Sequence, residues 1–174
     1  MLIRPALGPA EIERRLAEVA AGACGDDRAR VLVVRHGRAA LIERFRQGRR
    51  YWVLPGGGVE DGETIAGAAL REAAEELGVA VTLGQLRLLV HVRQQDGSWQ
   101  RHWCFDASTD SDEIAVVAGP EIDGPPEDGT YQAVWMRLAE IAGREVWPSP
   151  PARMLAAYNG AWPAGVLETW EPWE

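Results

Sequence analysis

No lysine occurs among the 174 residues, so all 18 basic side chains are arginines. That absence excludes a P-loop and any Schiff-base chemistry, and it leaves the guanidinium as the strong cation for phosphate. Cysteine is almost as scarce. Cys24 and Cys104 stand far apart with no CxxC, so a zinc site or a disulfide framework is unsupported and two small buried hydrophobes are expected. No apolar run reaches the length of a membrane span, and the first residues carry no apolar stretch of a signal peptide. A soluble cytoplasmic protein that does not meet the membrane is the expectation. A basic surface is missing too: the formal net charge of −8 argues against general nucleic-acid binding.

What is present is ordinary for a globular chain, with 47% hydrophobic and 25% charged residues, enough for one sizeable core. With no internal repeat in view, residues 1–174 are expected to form a single domain. In it, 1–28 supply an N-terminal helix and lead-in, and 159–174 a tryptophan-rich tail.

The chain is organised around Leu54–Glu63, a glycine-rich loop, and the segment from Thr64 to Val79 that follows it. Gly56, Gly57 and Gly58 permit backbone angles closed to other residues and a close approach to metal or phosphate. The second half reads as a helix: Thr64 can cap it, Leu70, Ala73 and Leu77 form an apolar stripe, and Gly78 terminates it. Glu72, Glu75 and Glu76 fall at i, i+3 and i+4, on one face. Like charges there are mutually destabilising, and two of them stand in the C-terminal turn, where the helix dipole disfavours anions. A solvated acidic face is the plain reading. A hard cation such as Mg²⁺, which takes carboxylate oxygens and fills its other positions with water and phosphate, accounts for the repulsion.

In order, the fixed residues are Gly57, Glu63, Arg71-Glu72, the aliphatic Ala73, Glu75-Glu76, Gly78 and the aliphatic Val79. This spacing resembles the Nudix box, with every fixed position filled. The resemblance implies an α/β/α sandwich with a mixed sheet and a loop–helix–loop motif. It also implies Mg²⁺-dependent hydrolysis of a nucleoside diphosphate linked to some group X, with Mn²⁺ as the alternative ion.

In the site so expected, Glu72, Glu75, Glu76 and Gly56 face the metal. Glu75 is the favoured base, with Glu113, Glu121 and Glu127 as rivals from outside the box. Arg71, four residues before Glu75, can pair with a carboxylate and fix its rotamer, or form an ordinary surface ion pair. Glu63, near the positive end of the helix, serves either the outer shell of the site or the cap. Gly57 and Gly58, with one or two of Arg44, Arg46, Arg49 and Arg50, are the candidates to grip a diphosphate. A solvated hairpin end is the other reading of those arginines.

Substrate markers are absent. Gln95 stands where ADP-ribose-type relatives tend to carry proline, no tyrosine lies between Tyr51 and Tyr131, and the further signatures of coenzyme A and NADH hydrolases are missing. A nucleoside triphosphate or a small nucleotide conjugate remains. A catalytically silent nucleotide-binding regulator on the same fold is the alternative, with the intact glutamates against it. A diphosphate isomerase is disfavoured by the complete box.

Elsewhere, helical spacing covers Ala10–Ala21, with Ile12, Leu16 and Val19 on one side. Strands are expected at 30–34 and 39–45, joined at His36-Gly37, and at 80–94, where Leu86, Leu88 and Val90 alternate. A further strand is expected at 99–107, putting Trp99, Trp103 and Phe105 on one face, and a last one at 131–136. A surface loop or lid is expected at 119–129, and short helices at 138–142 and 151–158. His91 and His102 are expected to be structural. The tail, with Trp162, Trp170 and Trp173, is expected to dock on the body or on a second copy in a homodimer.

Overall fold

The computed structural model describes residues 3–21, 26–116 and 129–171. Cys24, Glu121, Glu127, Trp173 and all of the 119–129 loop but Gly129 lie outside the described residues, as does the side chain of Val19. The elements run β1 (Ile3–Leu7), α1 (Pro9–Ala21), β2 (Asp27–Arg35), β3 (Arg38–Arg46), β4 (Arg49–Val53), α2 (Ile65–Leu77), β5 (Thr82–Arg93), β6 (Trp99–Ser108), β7 (Thr130–Arg137), α3 (Leu138–Ile141), β8 (Val146–Trp147), α4 (Ser149–Ala156) and β9 (Val166–Glu171). The class is α/β, with a mixed sheet covered by helices.

One wing of the sheet holds β1, β9, β5, β6 and β2, and the other holds β7, β3, β4 and β8. The wings join where β2 turns into β3 through His36 and Gly37, both with positive φ, as tight hairpins require. Only Val34↔Ala39 and Arg35↔Arg38 pair there, and beyond them β2 and β3 part. The opening is filled by the glycine loop. Ala29 N–H donates to Gly57 O at 2.9 Å, Val31 N–H to Pro55 O at 3.0 Å and Val59 N–H to Asp27 O at 3.2 Å. The loop therefore behaves as a borrowed strand edge, which fixes its position although it has no regular structure of its own.

Two apolar clusters lie on opposite faces. Val31, Val33, Leu89, Trp103 and Phe105 pack under α2, while Leu32, Leu41, Val90 and Cys104 pack under α3 and α4. Cys104 is indeed a small buried hydrophobe. Among the described residues no helix is long and apolar enough to cross a membrane.

Several expectations are corrected. Leu70 is 42% exposed; the buried stripe of α2 is Ile65, Ala68, Ala69, Ala73 and Leu77, and Leu70 sits a further 100° round the helix from Ala69. Leu86 and Leu88 do not share a face: the pairing of β5 with β6 shifts between them, so Leu86 joins the first cluster and Leu88 the second. Trp99 does not join Trp103 and Phe105 in the core but is 44% exposed at the start of β6. Residues 131–136 do not form the last strand, because β8 and β9 follow. The tail supplies β9, parallel to β5 and antiparallel to β1, with Trp170 stacked on His91 at 4.8 Å.

Candidate active site

The helix α2 starts and stops as its sequence dictates. The Thr64 hydroxyl accepts from Gly67 N–H at 3.0 Å, and Gly78 closes the far end at φ 66 with its N–H on Ala74 O. Small residues on the buried face let α2 lie close to the sheet, which brings its acidic face to the mouth of the split between β2 and β3. There Glu72, Glu75 and Glu76 line a cavity of about 540 Å³ together with Gly56, Gly57, Gly58, Arg71, Tyr131 and the arginines Arg28, Arg30 and Arg44.

The glycines are needed for contact. A side chain at Gly57 would fall on the Glu72 carboxylate, and one at Gly58 on the Arg28 guanidinium. Gly56, at φ 129, presses against the backbone of Ala29 and donates its N–H to Glu76 Oε2 at 2.6 Å.

Arg71 is the hub of the acidic side. It donates to Glu63 through Nε and Nη2, both at 3.1 Å, to Glu72 at 2.9 Å, to Glu75 at 3.2 Å and to Gly58 O at 2.8 Å. Hydrogen bonds to Glu63 first, and then to Glu72, raise the guanidinium's pKa against the effect of burial. Burial works against the Glu63 carboxylate, yet Arg71 and the Glu60 N–H more than offset it and hold it low. Burial likewise pushes Glu72 up, with Arg71 opposing. Glu76 is the extreme case: desolvation drives its carboxyl up to about 7 although the Tyr131 hydroxyl and the Gly56 N–H both donate to it.

The opposite wall is basic. Arg30 reaches the carbonyls of Leu54 and Gly56 and lies 3.5 Å from His102 Nδ1. Arg44 stacks over the Tyr131 ring, 5.0 Å from its centroid. Burial, and then the neighbouring Arg30, press the Arg28 pKa down.

Of the residues named from sequence, Glu72, Glu75, Glu76, Arg71, Arg44 and the three glycines meet at this cavity, and Glu63 stands behind Arg71. Arg46 and Arg50 do not. The β3–β4 register pairs Arg46 with Arg49 and Arg44 with Tyr51, which leaves Arg50 on the other face, 3.6 Å from Glu43. Arg46 lines an adjoining cavity with Tyr51. Glu113 is exposed on a loop outside the cavity. The Gly56 carbonyl is taken by Arg30. Sequence reasoning missed Arg28, Arg30 and Tyr131; two arginines at i, i+2 leading into the apolar run 31–34 were the available signal for the first two.

Among the described residues no three His, Cys, Asp or Glu side chains stand together as a ready-made metal cage. The donor set nevertheless suits a hard cation: three carboxylates on one wall, two of them with pKa values raised by burial that a positive ion would relieve.

Residues 16–158 match the family model of the NUDIX domain, and the chain belongs to that family. The RNA pyrophosphohydrolase of Wolbachia pipientis is 48% identical over 28% of this chain, and the match spans only 29% of that relative's length. The low-salt glycan biosynthesis protein Agl8 of Haloferax volcanii is 34% identical over 59% of this chain and 74% of its own. A solved NUDIX hydrolase of Nitrosomonas europaea matches with a TM-score of 0.64 over 84% of this chain and 78% of that one, at 19% identity, a likeness of fold. The family generally works with a divalent metal such as Mg²⁺.

Proposed function

We propose that this chain is a Mg²⁺-dependent pyrophosphohydrolase of phosphoric anhydride bonds, acting on a nucleoside triphosphate or a small nucleotide conjugate. We also propose that residues 1–174 work as one domain, a reading supported by β1 and β9 pairing in one sheet, and that the protein acts in the cytoplasm. One observation carries the function: a single cavity has Glu72, Glu75 and Glu76 on one wall and Arg28, Arg30 and Arg44 on another. A polyphosphate needs both, cations for its oxygens and a metal to screen its charge.

Glu72, Glu75 and Glu76 are the residues to hold the ion, which when bound would withdraw charge from the phosphates and lower the pKa of a water. Arg28, Arg30 and Arg44 bind and orient phosphate oxygens. Glu75, the most open of the α2 carboxylates that pair with Arg71 at 36% exposure, takes the proton as water oxygen attacks phosphorus. The bridging P–O bond breaks, and the phosphorylated leaving group departs. Arg71 and Glu63 position Glu72 and Glu75 without touching substrate.

The pairing of Glu72 and Glu75 with Arg71 supports a second reading, a nucleotide-binding regulator without turnover. Incubation with a nucleotide panel and Mg²⁺ separates the two: release of a nucleoside monophosphate is expected, and binding without release across the panel favours the regulator. Glu75→Gln and Glu76→Gln should each lower turnover by about a hundredfold or more with the fold intact. Near-normal turnover in both variants would refute the assignment.

A further inference from the structure

We propose, resting on the phosphate-binding role of Arg28 and Arg30, that Gln100 and His102 on β6 are positioning residues, which aim both guanidiniums at the substrate and keep their charge unquenched. The parallel pairing of β2 with β6 sets Arg28 beside His102, and strand alternation puts Gln100, His102, Arg28 and Arg30 on one face of the sheet. Among the described residues neither arginine donates to a carboxylate. Arg30 reaches only the Leu54 and Gly56 carbonyls and the edge of the His102 ring. Arg71, by contrast, is shared among Glu63, Glu72 and Glu75. Arg28 and Arg30 are both half-buried. A guanidinium taken partly out of water without an anion is costly, and an incoming phosphate supplies the missing charge.

Counting protons fixes which atoms face each other. A guanidinium only donates, so Gln100 turns its amide oxygen to Arg28 and accepts from Nε at 3.1 Å and from Nη2 at 3.2 Å. That fork leaves Nη1, which fills the space beside Gly58 at the carboxylate cavity, to meet substrate. The Gln100 amide nitrogen then donates to His102 Nε2 at 2.8 Å. His102 is 5% exposed, and burial, followed by the charges of Arg30 and Arg28, holds its pKa well below the usual range. The ring is therefore neutral, with Nε2 accepting and its single proton on Nδ1. That proton faces Arg30 Nε across 3.5 Å, a contact of two donors rather than a bond. His102 thus turns Arg30 away, toward the two loop carbonyls that fix it. A carboxylate at position 100 or 102 would instead pair with an arginine and compete with phosphate.

Calorimetric titration of the metal-free protein with inorganic triphosphate tests the arrangement. Gln100→Glu should weaken binding about tenfold, and Gln100→Leu, which removes the fork without adding charge, about threefold. With nucleotide and Mg²⁺ the same factors should appear in KM while kcat stays within about twofold, a split that general loss of structure would not give. In an Arg28→Gln background Gln100→Glu should add nothing, because its effect passes through Arg28. Long-range ¹H–¹⁵N spectra at neutral pH, with His102→Gln identifying the signal, should show a neutral His102 protonated at Nδ1. Equal triphosphate binding by the wild type and both Gln100 variants, binding by none of them included, overturns the proposal. So does a His102 ring protonated at Nε2, or a full Gln100→Glu effect in the Arg28→Gln background. Triphosphate binding with no turnover of any nucleotide would sink the hydrolase reading alone.

Discussion

Arg71 holds Glu63 by two parallel hydrogen bonds, Nε to Oε1 and Nη2 to Oε2, each 3.1 Å long. The same guanidinium reaches Glu72, Glu75 and the Gly58 carbonyl, so one side chain ties the loop to the acidic face of α2. Lysine carries the charge but not the planar fork. Arg71→Lys should cost about 1–2 kcal/mol in urea unfolding, and Arg71→Ala about 2–3 kcal/mol, because the carboxylates then repel without a counter-charge. Lowering the pH from neutrality should recover part of the loss in Arg71→Ala, since protonation removes the repulsion. Equal stability of the wild type and both variants would deny Arg71 this role.

The loop glycines divide by what surrounds them. Gly56 has φ 129, and a side chain there would collide with the backbone of Ala29 and come within 2.8 Å of Arg30 Cα. Backbone cannot swing aside as a side chain does. Gly56→Ala should therefore cost more than about 3 kcal/mol. Gly62, at φ 79 with open space around it, should lose only about 1 kcal/mol on substitution by alanine, the cost of the left-handed conformation alone. Paired urea melts of the two variants distinguish steric exclusion from conformational strain.

The register of one hairpin sorts the arginine patch. Arg44 faces the carboxylate cavity, whereas Arg50 points the other way toward Glu43. Arg44→Gln should raise KM for a nucleotide substrate about tenfold with kcat little changed, and Arg50→Gln should leave both within about twofold. A like response to the two substitutions would place the phosphate elsewhere.

How much of this was legible in the sequence depended on range. Thr64 and Gly78 act within a few residues, so the ends of α2 were readable from local chemistry. Glu72, Glu75 and Glu76 were readable because helix geometry alone places them together. Arg30 and Tyr131 were not, since the sheet brings them to Gly56 and Glu76 from 26 and 55 residues away. Arg50 was not readable because strand pairing, not nearness in sequence, decides which face an arginine occupies, while Arg46 shares the face of Arg44 but stands two residues further along the hairpin, at the adjoining cavity. Strand β9 stayed hidden behind a Gly- and Pro-rich lead-in, and the shift between Leu86 and Leu88 broke an alternation that looked regular.

Glu76 links the chemistry to stability. Desolvation first, eased by the Tyr131 hydroxyl and the Gly56 N–H, raises its carboxyl from an ordinary 4.5 to about 7. The folded protein thus holds this proton more tightly than the unfolded chain does. The associated stability is complete below about pH 4.5 and is lost as the pH climbs through about 7, a change of about 3 kcal/mol. Glu76→Gln keeps a neutral group there at every pH. In chelator-treated protein the variant should match the wild type near pH 4.5 and exceed its stability at pH 8 by up to that amount. Mg²⁺ should narrow the gap at pH 8 by stabilising the wild type more than the variant, because a bound cation favours the ionised carboxylate. Parallel pH profiles for the two proteins without metal would show that Glu76 ionises in the fold without penalty, and a gap indifferent to Mg²⁺ would remove Glu76 from the metal-binding residues.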